Sequence, residues 1–172
     1  FYTDGAFIGA LGDDARVMNY SGSASSIANL PDDTYVVVWR SDVGSHAGIY
    51  GQRYGDEGYA IGGEFRVDSS GSSTESTAIV ALSDGGFVVV WDALLGGSER
   101  DVYAQRFAAD GSLVGSQIQI NHYTDSTQNL PTIAALNDGG FVVAWSSDGQ
   151  DGSETGVYLQ RYGADSRTLG GE

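Results

Sequence analysis

The chain has 172 residues, no cysteine and a formal net charge of −15, with eight arginines and no lysine against twenty-three acidic side chains. That charge excludes nucleic acid as a partner, because phosphate contacts need a basic patch, and the absence of thiols excludes disulfide support and a cysteine nucleophile. The length suffices for a real core, no segment is long or apolar enough for membrane insertion, and twenty-six glycines among many serines and threonines predict numerous turns.

The first predicted element is a strand within Phe7–Val17, with Phe7, Ile8 and Val17 among its apolar positions. Four short strands follow: a (about 26–30), b (35–40), c (48–54) and d (60–67), each bounded by Gly, Asp, Asn or Ser clusters. Strand b, Tyr35-Val-Val-Val-Trp39, recurs as Phe87-Val-Val-Val-Trp91 and Phe141-Val-Val-Ala-Trp145, at a period of just over fifty residues. The other strands keep step. Ile27, Ile79 and Ile133 precede each run by the same interval, and strand c returns as Tyr103-Ala-Gln-Arg-Phe107 and Tyr158-Leu-Gln-Arg-Tyr162 after Tyr50-Gly-Gln-Arg-Tyr54.

Strand b is apolar at every position, the pattern of a strand covered on both faces, so each sheet is expected to be sandwiched. The a–b turns Ser83-Asp-Gly-Gly86 and Asn137-Asp-Gly-Gly140 supply glycine for positive φ. The first copy reads Pro31-Asp-Asp-Thr34, so another geometry is expected there.

The fold class is therefore all-β: a single domain, 1–172, of three tandem four-stranded antiparallel meander repeats, propeller-blade-like or threefold prism-like. The units run about 18–67, 68–120 and 121–172. Residues Phe1-Tyr-Thr-Asp-Gly-Ala-Phe-Ile-Gly9 align with Phe107-Ala-Ala-Asp-Gly-Ser-Leu-Val-Gly115, so the segment to Val17 carries the signature of a strand d. The third unit stops where its own strand d would be completed. Strand exchange at the termini reconciles the surplus with the vacancy, within one chain or between chains. Met18 is the lone methionine, so the start is expected to be processed or truncated.

Three sets of side chains are candidates for chemistry. Asp148, Asp151 and Glu154, in the loop Asp148-Gly-Gln-Asp-Gly-Ser-Glu154, offer oxygen ligands suited to Ca²⁺, against the alternative of a solvated b–c loop. Tyr50, Tyr103 and Tyr158 beside Arg53, Arg106 and Arg161 are candidate glycan contacts, one shallow site per repeat. The structural alternative is that the Gln-Arg pairs brace turns and neighbouring sheets. His46 and His122 occupy non-equivalent positions, with no third ligand at zinc spacing. No serine stands in a nucleophile motif, no glycine-rich loop leads into a helix and no carboxylate pair stands out, so no enzymatic activity is expected. Asn19-Tyr-Ser21 is a formal glycosylation sequon.

The run Leu-Asn-Asp-Gly-Gly-Phe-Val-Val-Ala-Trp-Ser-Ser-Asp-Gly-Gln-Asp-Gly-Ser at 136–153, followed by Val157-Tyr-Leu-Gln-Arg-Tyr162, resembles the tandem repeats of large secreted RTX-type and adhesin-like proteins of aquatic bacteria. The resemblance implies an extracellular or bacterial cell-surface location, structural or adhesive work, and calcium as a ligand to test. The Gly-Gly-x-Gly-x-Asp calcium coil of true RTX domains is absent from the chain. The expected protein is a secreted structural or adhesive repeat with no required cofactor. Its expected partners are copies of itself, joined head-to-tail in a filament by strand donation, or neighbouring repeats. The alternative is a carbohydrate-binding module.

Overall fold

A computed structural model describes residues 22–69, 73–94 and 99–172. The expected assembly strand, with Phe7, Ile8 and Val17, lies outside the described residues. The described residues form an all-β structure in which twelve strands make three four-stranded antiparallel sheets, each a meander in chain order, with no closed barrel. The first sheet holds β1 (Gly22–Asn29), β2 (Tyr35–Ser41), β3 (Gly48–Tyr54) and β4 (Ala60–Arg66). The second holds β5 (Ser73–Ala81), β6 (Phe87–Leu94), β7 (Asp101–Phe107) and β8 (Leu113–Gln119). The third holds β9 (Gln128–Ala135), β10 (Phe141–Asp148), β11 (Thr155–Tyr162) and the two-residue β12 (Thr168–Leu169). Helical geometry among the described residues is limited to one 3₁₀ turn at Gly44–His46.

The second and third strands of each sheet run in the same register: Trp39 opposes Tyr50, Trp91 opposes Tyr103 and Trp145 opposes Tyr158. The turns that set this register also share one geometry, contrary to the expectation for the first. Leu30, Leu82 and Leu136 each donate a backbone N–H to the carbonyl four residues on. Asp33 takes φ 62° where Gly85 and Gly139 take 88° and 83°. Aspartate tolerates the left-handed region through local hydrogen bonding, so the glycine is replaceable there without changing the turn.

Two cores hold the sheets together. Between the first and second sheets, Val36, Val38, Ile49 and Val67 meet Phe87, Val89, Trp91 and Phe107. Between the second and third, Val88, Val90, Val102 and Ile120 meet Phe141, Val143, Trp145 and Tyr162. Gly51 belongs to the first core by being small: a Cβ there would stand 2.5 Å from the Phe65 ring. That ring passes over the strand and packs on Phe87 and Phe107 at 6.0 and 5.3 Å.

All three tryptophans are buried, but the expectation that every b strand is covered on both faces holds only for the second sheet. In β6, Phe87 to Ala93 are buried without a break. In β10 burial alternates residue by residue, and in β2 Tyr35, Val37 and Arg40 stay half-exposed. The reason is geometric. Covering both faces takes a sheet on each side, and among the described residues the first and third sheets have one neighbour apiece.

Candidate functional site

The Gln-Arg pairs lie near the end of the third strand of each sheet, beside a turn and, in the first two sheets, a bulge. The register slips between Gly51 and Arg53, and again between Ala104 and Arg106, against the fourth strand. A bulge leaves carbonyls without ladder partners, and a buried amide side chain supplies the donor. Gln52 Nε2 donates to the carbonyls of Arg53 and Ile61 at 2.9 and 3.1 Å. Gln105 repeats this with Arg106 and Val114 at 2.9 and 3.4 Å, and Gln160 with Arg161 and Gly170 at the same distances. All three glutamines are buried.

Each arginine reaches back to an aspartate in the a–b turn: Arg53 to Asp32, Arg106 to Asp84 at 2.6 Å, and Arg161 to Asp138. The same aspartates accept the backbone N–H two residues on, from Thr34, Gly86 and Gly140. The carboxylate therefore clasps its own turn and ties it to the third strand. These aspartates are partners that the sequence reading did not single out. Their signal was a constant place in the turn, always the same short distance before strand b.

The tyrosines are not equivalent as ligand contacts. Tyr103 is only 8% exposed and stacks on Trp91 at 6.3 Å, which leaves no ring face for a sugar. Tyr50 is half-buried and carries the Arg66 guanidinium over its ring at 5.9 Å. Tyr158 is half-buried, its ring over Gly156, where an added Cβ would come within 2.9 Å.

In the loop 148–154 the carboxylates are engaged locally. Asp148 accepts the Thr155 hydroxyl at 2.7 Å, and Asp151 accepts both the Ser153 N–H and its hydroxyl at 2.9 and 2.7 Å. The Ser153 hydroxyl and then its N–H hold the Asp151 carboxyl below its ordinary range. Glu154 is exposed. Among the described residues no group of three or more His, Asp or Glu side chains is placed to hold a metal ion. His46 sits in the 3₁₀ turn of the first sheet, while His122 lies between β8 and β9 with Nδ1 3.5 Å from Glu172.

Two concavities lie on faces turned away from the second sheet. One, about 180 Å³, lies on the first sheet and is lined by Trp39, Ser41, His46, Tyr50 and Glu64. The other is an open depression of about 430 Å³ on the third sheet, lined by Leu136, Asp138, Val142, Leu159 and Arg161. The strand alternation carried no signal for either, because residues that line an open face have the same types as residues that line a core.

No protein-family model matches the chain, and no curated protein matches it. Among solved structures, the endo-arabinase from Bacteroides thetaiotaomicron VPI-5482 is similar, with a TM-score of 0.53 and 15% identity over 81% of this chain. The match covers 59% of that chain, somewhat more than half of its length. At this identity the likeness is one of fold: an arrangement of small antiparallel sheets. No helix of the described residues is long and apolar enough to cross a membrane.

Proposed function

We propose that this chain is a non-enzymatic structural or adhesive module of the cell exterior, built from propeller-blade-like repeats and assembling head-to-tail by strand donation. One observation carries the proposal: among the described residues the outer edge of the third sheet is open beyond a two-residue strand. The fourth strand there pairs only with Arg161 and Tyr162, whereas β4 and β8 run for seven residues each. In the first two sheets the chain beyond the fourth strand closes the edge, with Val67 and Ile120 N–H donating to the Ile49 and Val102 carbonyls at 2.8 Å. Val157 stands at the corresponding place and is 80% exposed, against 0% for Ile49 and Val102. An open strand edge is a template for a further strand. The segment Phe7–Val17 of another copy has the sequence signature of that strand.

The spending of the Gln-Arg pairs on internal clasps supports scaffold work over ligand binding, and the resemblance to secreted adhesin-like repeats agrees with it. Removing residues 1–17 is expected to abolish self-association while the second sheet keeps its melting transition. Unchanged polymers after that deletion would refute strand donation.

Glycan binding is a second reading, favoured by the concavity that places Trp39 and Tyr50 beside His46, Glu64 and the buried Ser41 hydroxyl. It would give one site in the first sheet, not one per repeat. Calorimetry against a panel of oligosaccharides, lost in Tyr50→Ala, would establish it over the scaffold role.

A further inference from the structure

In the first two sheets the fourth strand is locked at its far end by the same pair of residues, an apolar side chain followed by aspartate or asparagine. Val67 and Ile120 are buried and donate their N–H groups to the Ile49 and Val102 carbonyls at 2.8 Å. The next residue returns the bond through its side chain. Asp68 Oδ1 accepts the Ile49 N–H at 3.0 Å, and Asn121 Oδ1 accepts the Val102 N–H at 2.8 Å. Asp68 and Asn121 are 4% and 3% exposed, so each lock is shielded from water. Carboxylate and carboxamide serve equally, because the bond needs only an oxygen acceptor.

The third sheet carries the receiving half of this lock. Ile49 opposes Arg40, Val102 opposes Asp92 and Val157 opposes Ser146 in matching registers. Register in an antiparallel ladder decides which way a backbone group points. The N–H and C=O of Val157 therefore face the fourth-strand side, as those of Ile49 and Val102 do. Among the described residues the fourth strand follows the common path as far as Gly170, whose carbonyl takes the Gln160 amide as Gly62 and Gly115 take those of Gln52 and Gln105. Glu172 is engaged elsewhere, its carboxylate accepting the His122 N–H at 3.1 Å and the Gln150 amide at 3.0 Å. A second group on β11 is unsatisfied: Gln160 is fully buried, yet its Oε1 has no hydrogen-bond partner. Buried acceptors in that state are rare in a finished sheet.

The geometry points to Met18-Asn19 of a second copy as the pair that closes this edge, Met18 donating its N–H to the Val157 carbonyl and the Asn19 carboxamide oxygen accepting the Val157 N–H. Within residues 1–21 an apolar side chain followed by aspartate or asparagine occurs once, at Met18-Asn19, directly after the Phe7–Val17 segment. The vacant stretch is short, opposite Leu159 and Val157, so the last residues of the segment suffice to fill it. The inference rests on the reading of the chain as a strand donor and adds the residues that fix the register of the donated strand. Backbone bonds give an added strand its affinity, whereas side chains at fixed places give it specificity and prevent slippage.

Sedimentation velocity of the full chain over a concentration series tests it, with multiples of 18.0 kDa expected for the wild type. Asn19→Leu should weaken association about tenfold, since it leaves the Val157 N–H buried without an acceptor. Asn19→Asp should associate as the wild type does, because aspartate fills the same place at Asp68. An unchanged melting temperature in Asn19→Leu separates a lost contact from a lost fold. Equal weakening in both variants, or none in Asn19→Leu, would overturn the inference. The chain has no cysteine, so Met18→Cys combined with Val157→Cys gives an independent readout. The two positions would stand directly across the ladder, within the roughly 4.4–6.8 Å between Cα atoms that a disulfide spans, and oxidation should join one chain to the next. A disulfide closed within one chain, or none, would also overturn it. If deletion of residues 1–17 abolishes polymers while Asn19→Leu leaves them unchanged, strand donation stands and the Asn19 lock falls. Polymers that survive the deletion, or a wild type that stays monomeric, remove both.

Discussion

The strands β6 and β10 carry nearly the same residues, Phe-Val-Val-Val-Trp and Phe-Val-Val-Ala-Trp, and occupy the same place in their sheets. Yet Val88 and Val90 are fully buried, while Val142 and Ala144 at the matching positions are half-exposed. The strand does not determine its second face; the neighbouring sheet does. The apolar second face is kept in the third copy, where among the described residues it is left half-exposed at Val142 and Ala144.

The contrast can be attacked first at the tryptophans, where the expected effect is largest. Trp91 is enclosed between the first two sheets, and Trp91→Ala should cost roughly 3–5 kcal/mol in a denaturant titration, as loss of a large core aromatic does. A loss below about 1 kcal/mol would mean that the first two sheets are not packed together in solution.

A sharper comparison uses one substitution at two equivalent places. Val88→Ala removes two methyl-sized groups from a closed core and should cost about 2 kcal/mol, whereas Val142→Ala on the open face should cost under about 1 kcal/mol at protein concentrations too low for association. Equal losses would show that the outer face of the third sheet is covered even in the isolated chain.

Much of the fold was legible because the repeat states each rule three times. Strands b and c fell within a residue or two of their observed limits. Strand a begins earlier, at Gly22, because its Ser-rich opening has no apolar alternation to mark it. The first a–b turn was misjudged on residue type alone, since Asp33 adopts the backbone that glycine takes in the other two copies. The Gln-Arg pair was visible as a constant but ambiguous feature: the same residues can clasp a turn or grip a sugar. Only the positions of the turn aspartates and the bulge carbonyls distinguish these. The burial of Tyr103 beside the half-exposed Tyr50 and Tyr158 was hidden for the reason that separates β6 from β10. The repeat is symmetrical in sequence, and the surroundings of its copies are not.

The clasps give the smallest and most discriminating test. Burial is the largest single influence on Asp84 and pushes its carboxyl up, but the Gly86 N–H and the Arg106 guanidinium together bring it below the ordinary 3.8. Asp138 is lowered first by the Gly140 N–H and then by Arg161. A carboxyl whose pKa is lower folded than unfolded stabilises the fold fully above its unfolded value, and that contribution is lost as pH falls through the folded value. The melting temperature should therefore stay level from neutral pH down to about pH 5 and fall below about pH 4, less steeply in Asp84→Asn. Arg106→Ala should cost about 1 kcal/mol, because its guanidinium is largely shielded and also bridges to the third sheet. Arg161→Ala should cost less, because water and salt screen a half-exposed charge, and about 0.5 M salt should shrink its effect further. If the two arginines prove equally costly and equally indifferent to salt, Arg161 is shielded in solution as Arg106 is, and the face around it is already occupied.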